Sequence, residues 1–106
     1  MLDGQGARLH ARVDQHDNAP IVMLTGEVDL STLPELRACL APLEGHVIVD
    51  LYGVSFLDCS GIGVLVATRN ALSSNGGDLM LRSPTSRVRR VFELTGLGAW
   101  VIGGAA

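Results

Sequence analysis

The chain contains no lysine; all eight of its basic residues are arginine. That absence excludes a Schiff-base lysine, a P-loop lysine and any chemistry needing a side-chain amine. Aromatic residues make up only 4% of the sequence, and cysteine occurs twice, at Cys39 and Cys59. Two cysteines do not build a disulfide framework, and their spacing is not that of a zinc site. The histidines His10, His16 and His46 are scattered, none three or four residues from another His or Cys. No metal and no cofactor is expected. Apolar runs are a handful of residues long, far short of the ~20 that a membrane span needs. Met1–Ala7 carries Asp3 and two glycines, and no apolar stretch follows that would read as a signal peptide. The net charge of −3 argues against a surface built to neutralise nucleic-acid phosphates.

What is present is a core. The 106 residues are 47% hydrophobic and 18% charged, a composition that folds. At about 100–200 residues per domain this predicts one domain over residues 1–106, with its packed part at about 8–102 and a soluble, cytoplasmic setting.

Leu9-His10-Ala11-Arg12-Val13 alternates apolar and polar and predicts a strand. The turn cluster Gln15–Pro20 and the apolar run Ile21–Leu24 then predict an antiparallel hairpin, closed by Thr25-Gly26 and a loop through Leu30. Ser31 or Thr32 can cap a helix in which Pro34 and Glu35 suit the first turn. Leu33, Leu36, Leu40 and Leu43 give that helix one apolar face. Val47–Leu51 reads as a strand buried on both faces, Ser60–Ser74 as a second helix, and Leu79–Leu81 as another buried strand. A third helix runs from Ser83-Pro84 to Thr95, with Gly96 as its left-handed terminus, before a last short strand Ala99–Ile102. Gly103–Ala106 is a tail without packing capacity. The order ββαβαβαβ implies an α/β fold: a mixed, mostly parallel five-stranded sheet with right-handed crossovers.

The chemistry concentrates between Asp50 and Gly63. There a strand runs into a loop that delivers Asp58-Cys59-Ser60-Gly61 to the start of a helix. In open α/β sheets ligands and partners meet the carboxyl ends of the strands. A helix N-terminus favours anionic groups, so a thiolate or a phosphorylated hydroxyl would be stabilised there. Asp58 and Ser60 are equally ordinary N-cap residues, so simple capping of the helix is the alternative reading of the same turn. Gly61-Ile62-Gly63 completes neither a dinucleotide-binding nor a Walker pattern. No nucleophile–base–acid set can be assembled, since only His16 or His46, in turns, could approach this edge. No catalytic residue is therefore assigned.

Four segments in one register resemble the STAS-domain anti-sigma factor antagonist family, across roughly residues 8–102. Phe56-Leu57-Asp58-Cys59-Ser60-Gly61-Ile62-Gly63 resembles its D-S-S/T-G-(L/I)-G signature. Thr25-Gly26-Glu27-Val28-Asp29 resembles its T-G-E-(L/V)-D loop, and Gly76-Gly77-Asp78-Leu79 its G-G-x-(L/M) strand entry. Ser83-Pro84 with Val88–Leu97 resembles its S-P-x-V-x-R segment. The resemblance implies a regulator that binds an anti-sigma factor of the histidine-kinase-like ATPase type and frees a sigma factor. It implies a partner-binding surface of Asp29, Asp58, Cys59, Ser60 and Gly61. It also implies a switch in which the partner kinase phosphorylates the serine directly after the aspartate. Here that residue is Cys59, and Ser60 matches the second, usually unmodified position. Kinase-independent binding, modification of Ser60 and redox control through Cys59 are the three readings of this departure. The family's usual last helix has only Gly103–Ala106 in its place.

Other readings stay open beside this one: a nucleotide-binding or lipid-transport accessory STAS domain, or a thiol-dependent enzyme using Cys59. Cys39 is expected as a small buried hydrophobe, and Trp100 as core or as surface left uncovered by the missing last helix, not as a ligand platform. Arg87, Arg89 and Arg90 are expected on a solvated face, and Asp50 as a hydrogen-bonding group at a strand end.

Overall fold

The computed structural model describes residues 8–16 and 19–102. Met1–Ala7, Asp17, Asn18 and Gly103–Ala106 lie outside the described residues, so the expected Gly103–Ala106 tail is not addressed. β1 (His10–His16) and β2 (Ala19–Val28) form the expected antiparallel hairpin, paired without a break from His10↔Thr25 to His16↔Ala19. A 3-10 turn over Leu30–Thr32 leads into α1 (Leu33–Leu40), and β3 (His46–Leu57) follows. Then come α2 (Cys59–Ser74), β4 (Asp78–Arg82) and α3 (Ser86–Leu94). Four strands carry the sheet, and the two-residue β5 (Val101–Ile102) adds a parallel pair beside β4, in the order β1-β2-β3-β4-β5.

The final strand is shorter than expected. Ala99 and Trp100 belong to a 3-10 turn over Gly98–Trp100 and not to the strand. The reason lies in Trp100, which turns inward: its ring is 7% exposed and its Nε1 donates to the Leu79 carbonyl at 2.7 Å. It meets Phe92 edge-on at 6.1 Å, and the Arg69 guanidinium lies 5.0 Å from its ring centroid. Of the two readings of Trp100, core and uncovered surface, the structure selects core.

A second difference concerns how the strands are buried. Val47, Val49 and Leu51 are fully buried, whereas Ile48 and Asp50 are half-buried and Tyr52 is exposed. The strand is covered on one face, not both. The strands step in one direction from β2 to β5, and right-handed crossovers taken in one direction set every helix on the same side. Leu36, Leu40, Ile62, Leu65, Val88 and Phe92 accordingly join Val22, Val49 and Leu81 in one core cluster. Asp50 lies mid-strand on the uncovered face, with its Oδ2 accepting from Arg82 Nε at 3.0 Å.

The remaining departures are local. The third helix starts at Ser86 and not at Ser83-Pro84, because Ser83 takes a left-handed φ of 58° and the Thr85 hydroxyl, accepting from the Val88 amide, caps the first turn. α1 ends at Leu40, so Leu43 packs on the core from beyond the helix. β2 and β3 both continue past the apolar runs that announced them, β2 to Val28 and β3 to Leu57. Of the basic run, Arg87 and Arg90 are exposed but Arg89 is half-buried, its Nη2 enclosed. Cys39 is half-buried on α1, where burial pushes its thiol pKa up.

Replacing Trp100 tests this packing. Trp100→Ala is expected to lose about 3–5 kcal/mol of stability, and Trp100→Phe about 1 kcal/mol for the indole hydrogen bond. Urea unfolding reads both, and an unchanged midpoint for Trp100→Ala would place the ring outside the core.

Candidate functional site

Two loops leave the sheet side by side. Val28 and Leu57 are the last paired residues of β2 and β3, and the Asp58 amide donates to the Val28 carbonyl at 3.1 Å. Asp29 and Asp58 thus begin adjacent turns at the carboxyl edge of the parallel strands, where a partner meets this kind of sheet.

The two turns share one hydrogen-bonding device. The Asp58 Oδ1 accepts from the Ser60 amide at 3.0 Å, the Ser60 hydroxyl at 2.5 Å and the Gly61 amide at 3.3 Å. The Asp29 Oδ1 accepts from the Ser31 amide at 2.9 Å, the Ser31 hydroxyl at 2.7 Å and the Thr32 amide at 3.2 Å. In each case a carboxylate satisfies the free N–H groups of a helical first turn. Asp58 caps α2. Asp29 caps the 3-10 turn before α1, while Thr32, one of the two residues expected to cap α1, holds its N-cap position without a side-chain cap bond.

Thr32 completes the second turn from below. Only 2% exposed, its hydroxyl donates to the Glu27 carbonyl at 2.9 Å and accepts from the Asp29 amide at 3.0 Å. The Arg8 guanidinium pairs with Glu35 and also donates to the Ser31 carbonyl at 3.3 Å. Arg8 reaches this point because its backbone crosses directly over Gly26. A Cβ on Gly26 would stand 2.1 Å from the Arg8 carbonyl oxygen, and its φ of +117° also demands glycine.

The predicted site residues separate by exposure. Asp29, Asp58 and Ser60 are half-buried and Cys59 is exposed, but Gly61 is buried. A Cβ on Gly61 would lie 2.4 Å from Val28 Cγ1, so this glycine seats α2 against the end of β2 and offers no outward surface. Leu30 escaped the sequence reading. It is 73% exposed between Asp29 and Ser31; standing three residues before Leu33, it continues the leucine spacing of α1, so no local signal marks it as outward. From Ser60 an open groove of ≈1270 Å³ runs between the helices, lined by Leu33, Arg37 and Leu40 of α1 and Gly63, Val64 and Ala67 of α2.

Histidine placement differs from expectation. His16 and His46 sit at the opposite ends of their strands, and His10, paired with Thr25, is the one nearer the site edge. Among the described residues no histidine hydrogen-bonds to Cys59 or Ser60, and no group of three metal-ligating side chains occurs.

The sequence profile of the STAS domain matches residues 10–103. The chain belongs to the STAS domain family. It is 40% identical over 86 residues to an anti-sigma-B factor antagonist of Staphylococcus epidermidis, covering 77% of this chain and 80% of that protein. An anti-sigma factor antagonist from Mycobacterium paratuberculosis superposes with a TM-score of 0.80 at 27% identity, over 92% of this chain and 86% of the other. SpoIIAA, an anti-sigma factor antagonist solved in its unphosphorylated form, gives 0.77 at 25% identity over 88% and 86%. Among the described residues, no helix of this STAS protein is long and apolar enough to cross a membrane.

Two measurements test the site's construction. Asp58→Ala is expected to lower stability by about 1 kcal/mol through the lost cap, while Asp58→Asn retains most of it. Equal stability of the alanine variant and the parent would remove the capping role. The second concerns acid. Hydrogen bonds from Ser31 hold the Asp29 pKa below its ordinary value, and Arg8 does the same for Glu35. A lowered folded pKa contributes stability that is present above the unfolded value, about 4, and is lost as the pH falls through the folded value. Stability therefore declines below about pH 4, and Arg8→Gln should flatten that decline; an identical acid limb in the variant would refute the pairing.

Proposed function

We propose that the protein is an anti-sigma factor antagonist: it binds an anti-sigma factor and thereby frees a sigma factor for transcription. One observation carries the reading. The Asp58-Cys59-Ser60 turn stands beside the Asp29 turn at the carboxyl edge of β2 and β3, in a chain closely similar to proteins bearing that name. The activity is binding, not catalysis, and in this reading it takes place in the cytoplasm. The partner is an anti-sigma factor of the histidine-kinase-like ATPase type. Asp29, Asp58, Cys59 and Ser60 supply the contact surface, Leu30 adds an exposed apolar anchor, and Gly61 acts from beneath by seating the turn.

Phosphorylation control does not fit these residues. Cys59 occupies the position of the modified serine in the family signature, and serine/threonine kinases do not ordinarily phosphorylate a thiol. Ser60 is the neighbouring hydroxyl, but it is half-buried and donates to Asp58 at 2.5 Å. A phosphate there would remove that donor and set about −1.5 to −2 charges against the Asp58 carboxylate. The protein in this reading is an antagonist that its partner's kinase activity does not eject.

Binding and modification are tested separately. Asp29→Arg should weaken binding to the anti-sigma factor by about 2–5 kcal/mol if the carboxylate is desolvated at the interface. An unchanged Kd would remove Asp29 from it. Incubation with the cognate kinase and ATP should leave the parent protein at its original intact mass. Cys59→Ser, similar in size and with the Asp58 cap intact, should become phosphorylated and release its partner in an ATP-dependent manner. A stoichiometric phosphate on Ser60 of the parent protein would show that the switch has moved by one residue.

A further inference from the structure

The outer edge of β1 is unusual in its regularity. Among the described residues it lies at the end of the sheet, and its seven residues pair with β2 without a bulge, so its outward N–H and C=O groups form an uninterrupted row. Soluble proteins commonly blunt such an edge with proline, charged side chains (lysine above all) or a bulge. β1, His-Ala-Arg-Val-Asp-Gln-His, has no proline, lysine or bulge, and its two charges, Arg12 and Asp14, are of opposite sign and so do not repel a second copy in antiparallel register.

That sequence is chemically self-complementary about Val13. Turned through a two-fold axis at Val13, an antiparallel copy sets Arg12 opposite Asp14 of the second strand and Asp14 opposite its Arg12. Ala11 then faces Gln15, and Val13 faces itself. Strand alternation puts Arg12 and Asp14 on the face of the sheet away from the helices, with their partners Met23 and Ile21, neither of which joins the core cluster. Both are accessible, with side chains 74% and 42% exposed, and they already lie 3.5 Å apart within one chain. Val13 is on the other face, opposite the core residue Val22, yet it is 41% exposed at the margin of that core.

We infer that β1 is a homodimerisation edge, at which a second copy of this chain extends the sheet through antiparallel β1–β1 pairing centred on Val13. Two Arg12–Asp14 pairs alternate in sign across the seam on one face, and the two Val13 side chains close the core margin on the other. Opposite charges directly across a strand pair stabilise it and like charges destabilise it, so the same residues fix the register. A slip by two residues would oppose Arg12 to Arg12 or Asp14 to Asp14. The candidate site stays open in such a dimer. It lies at the His10 end of the hairpin, and the two-fold axis carries the two sites to opposite ends of the seam.

Sedimentation equilibrium of the full chain over a concentration series tests the assignment. The parent protein should form a dimer, and Arg12→Asp or Asp14→Arg should each weaken it about tenfold or more by turning both cross-strand pairs repulsive. Mixing the two variants should restore dimerisation, because the two carboxylates on the edge of one variant then face the two guanidinium groups on the edge of the other. That rescue excludes misfolding as the cause of the single-variant defect. A parent protein monomeric up to about 1 mM chain overturns the proposal. So does a dimer indifferent to Arg12→Asp, or a mixture of variants that fails to associate. Because binding through Asp29 is measured by a different substitution, either result leaves the proposed partner surface to its own test.

Discussion

The hydrogen bond from the Asp58 amide to the Val28 carbonyl, 3.1 Å long, is where the sheet ends and the site begins. Parallel strands in this fold are joined through helices, so Val28 and Asp58, far apart in sequence, have no local reason to meet. The register of β2 on β3, closing at Val28↔Leu57, brings them together. Everything on the site edge depends on that register. Asp29 and Asp58 emerge side by side, Gly61 packs on Val28, and Ser55 donates to the Gly26 carbonyl at 3.3 Å across the same seam.

The two turns resemble one another because they meet the same physical demand. Each strand ends where a helical turn starts with unpaired amides, and each solves this with aspartate followed two residues later by serine. The carboxylates and hydroxyls that make the edge chemically distinctive therefore also hold it in shape. Capping and recognition are not competing accounts of Asp58: a carboxylate fixed by three donors is presented in one orientation. A substitution there alters loop geometry and surface charge together. Cys59 is different, since its side chain carries none of the cap and stands exposed at the turn. It is the position at which surface chemistry changes with least consequence for the fold.

The sheet's one-sidedness shapes the rest of the molecule. With all helices on one face, the other keeps a mixture of partly buried aliphatic residues and the Asp50–Arg82 pair. The core is closed at the far edge by Trp100, whose indole joins α2, α3 and β4 through Arg69, Phe92 and the Leu79 carbonyl. An aromatic ring held from three directions does here what a longer final strand would otherwise do.

Much of this was legible beforehand. The helices followed from apolar spacing, though their starts did not, since α3 is capped by Thr85 and begins at Ser86. The hairpin followed from its turn cluster, and the Asp58 turn from a short polar motif between a strand and a helix. These are local signals, set by propensity, periodicity and backbone hydrogen bonding within a few residues. Strand ends were less legible, because Glu27-Val28 and Tyr52–Leu57 are held in β structure by their neighbours across the sheet and not by their own alternation. The burial of Gly61, the outward Leu30, the inward Trp100 and the Arg8 crossing over Gly26 were beyond local reading for the same reason. The sequence by itself determined an α/β chain with an Asp-Cys-Ser-Gly turn opening a helix. Only the tertiary structure decided that the sheet is covered on one face and that this turn stands beside Asp29. Both depend on strand order and register, which arise from contacts between residues distant along the chain.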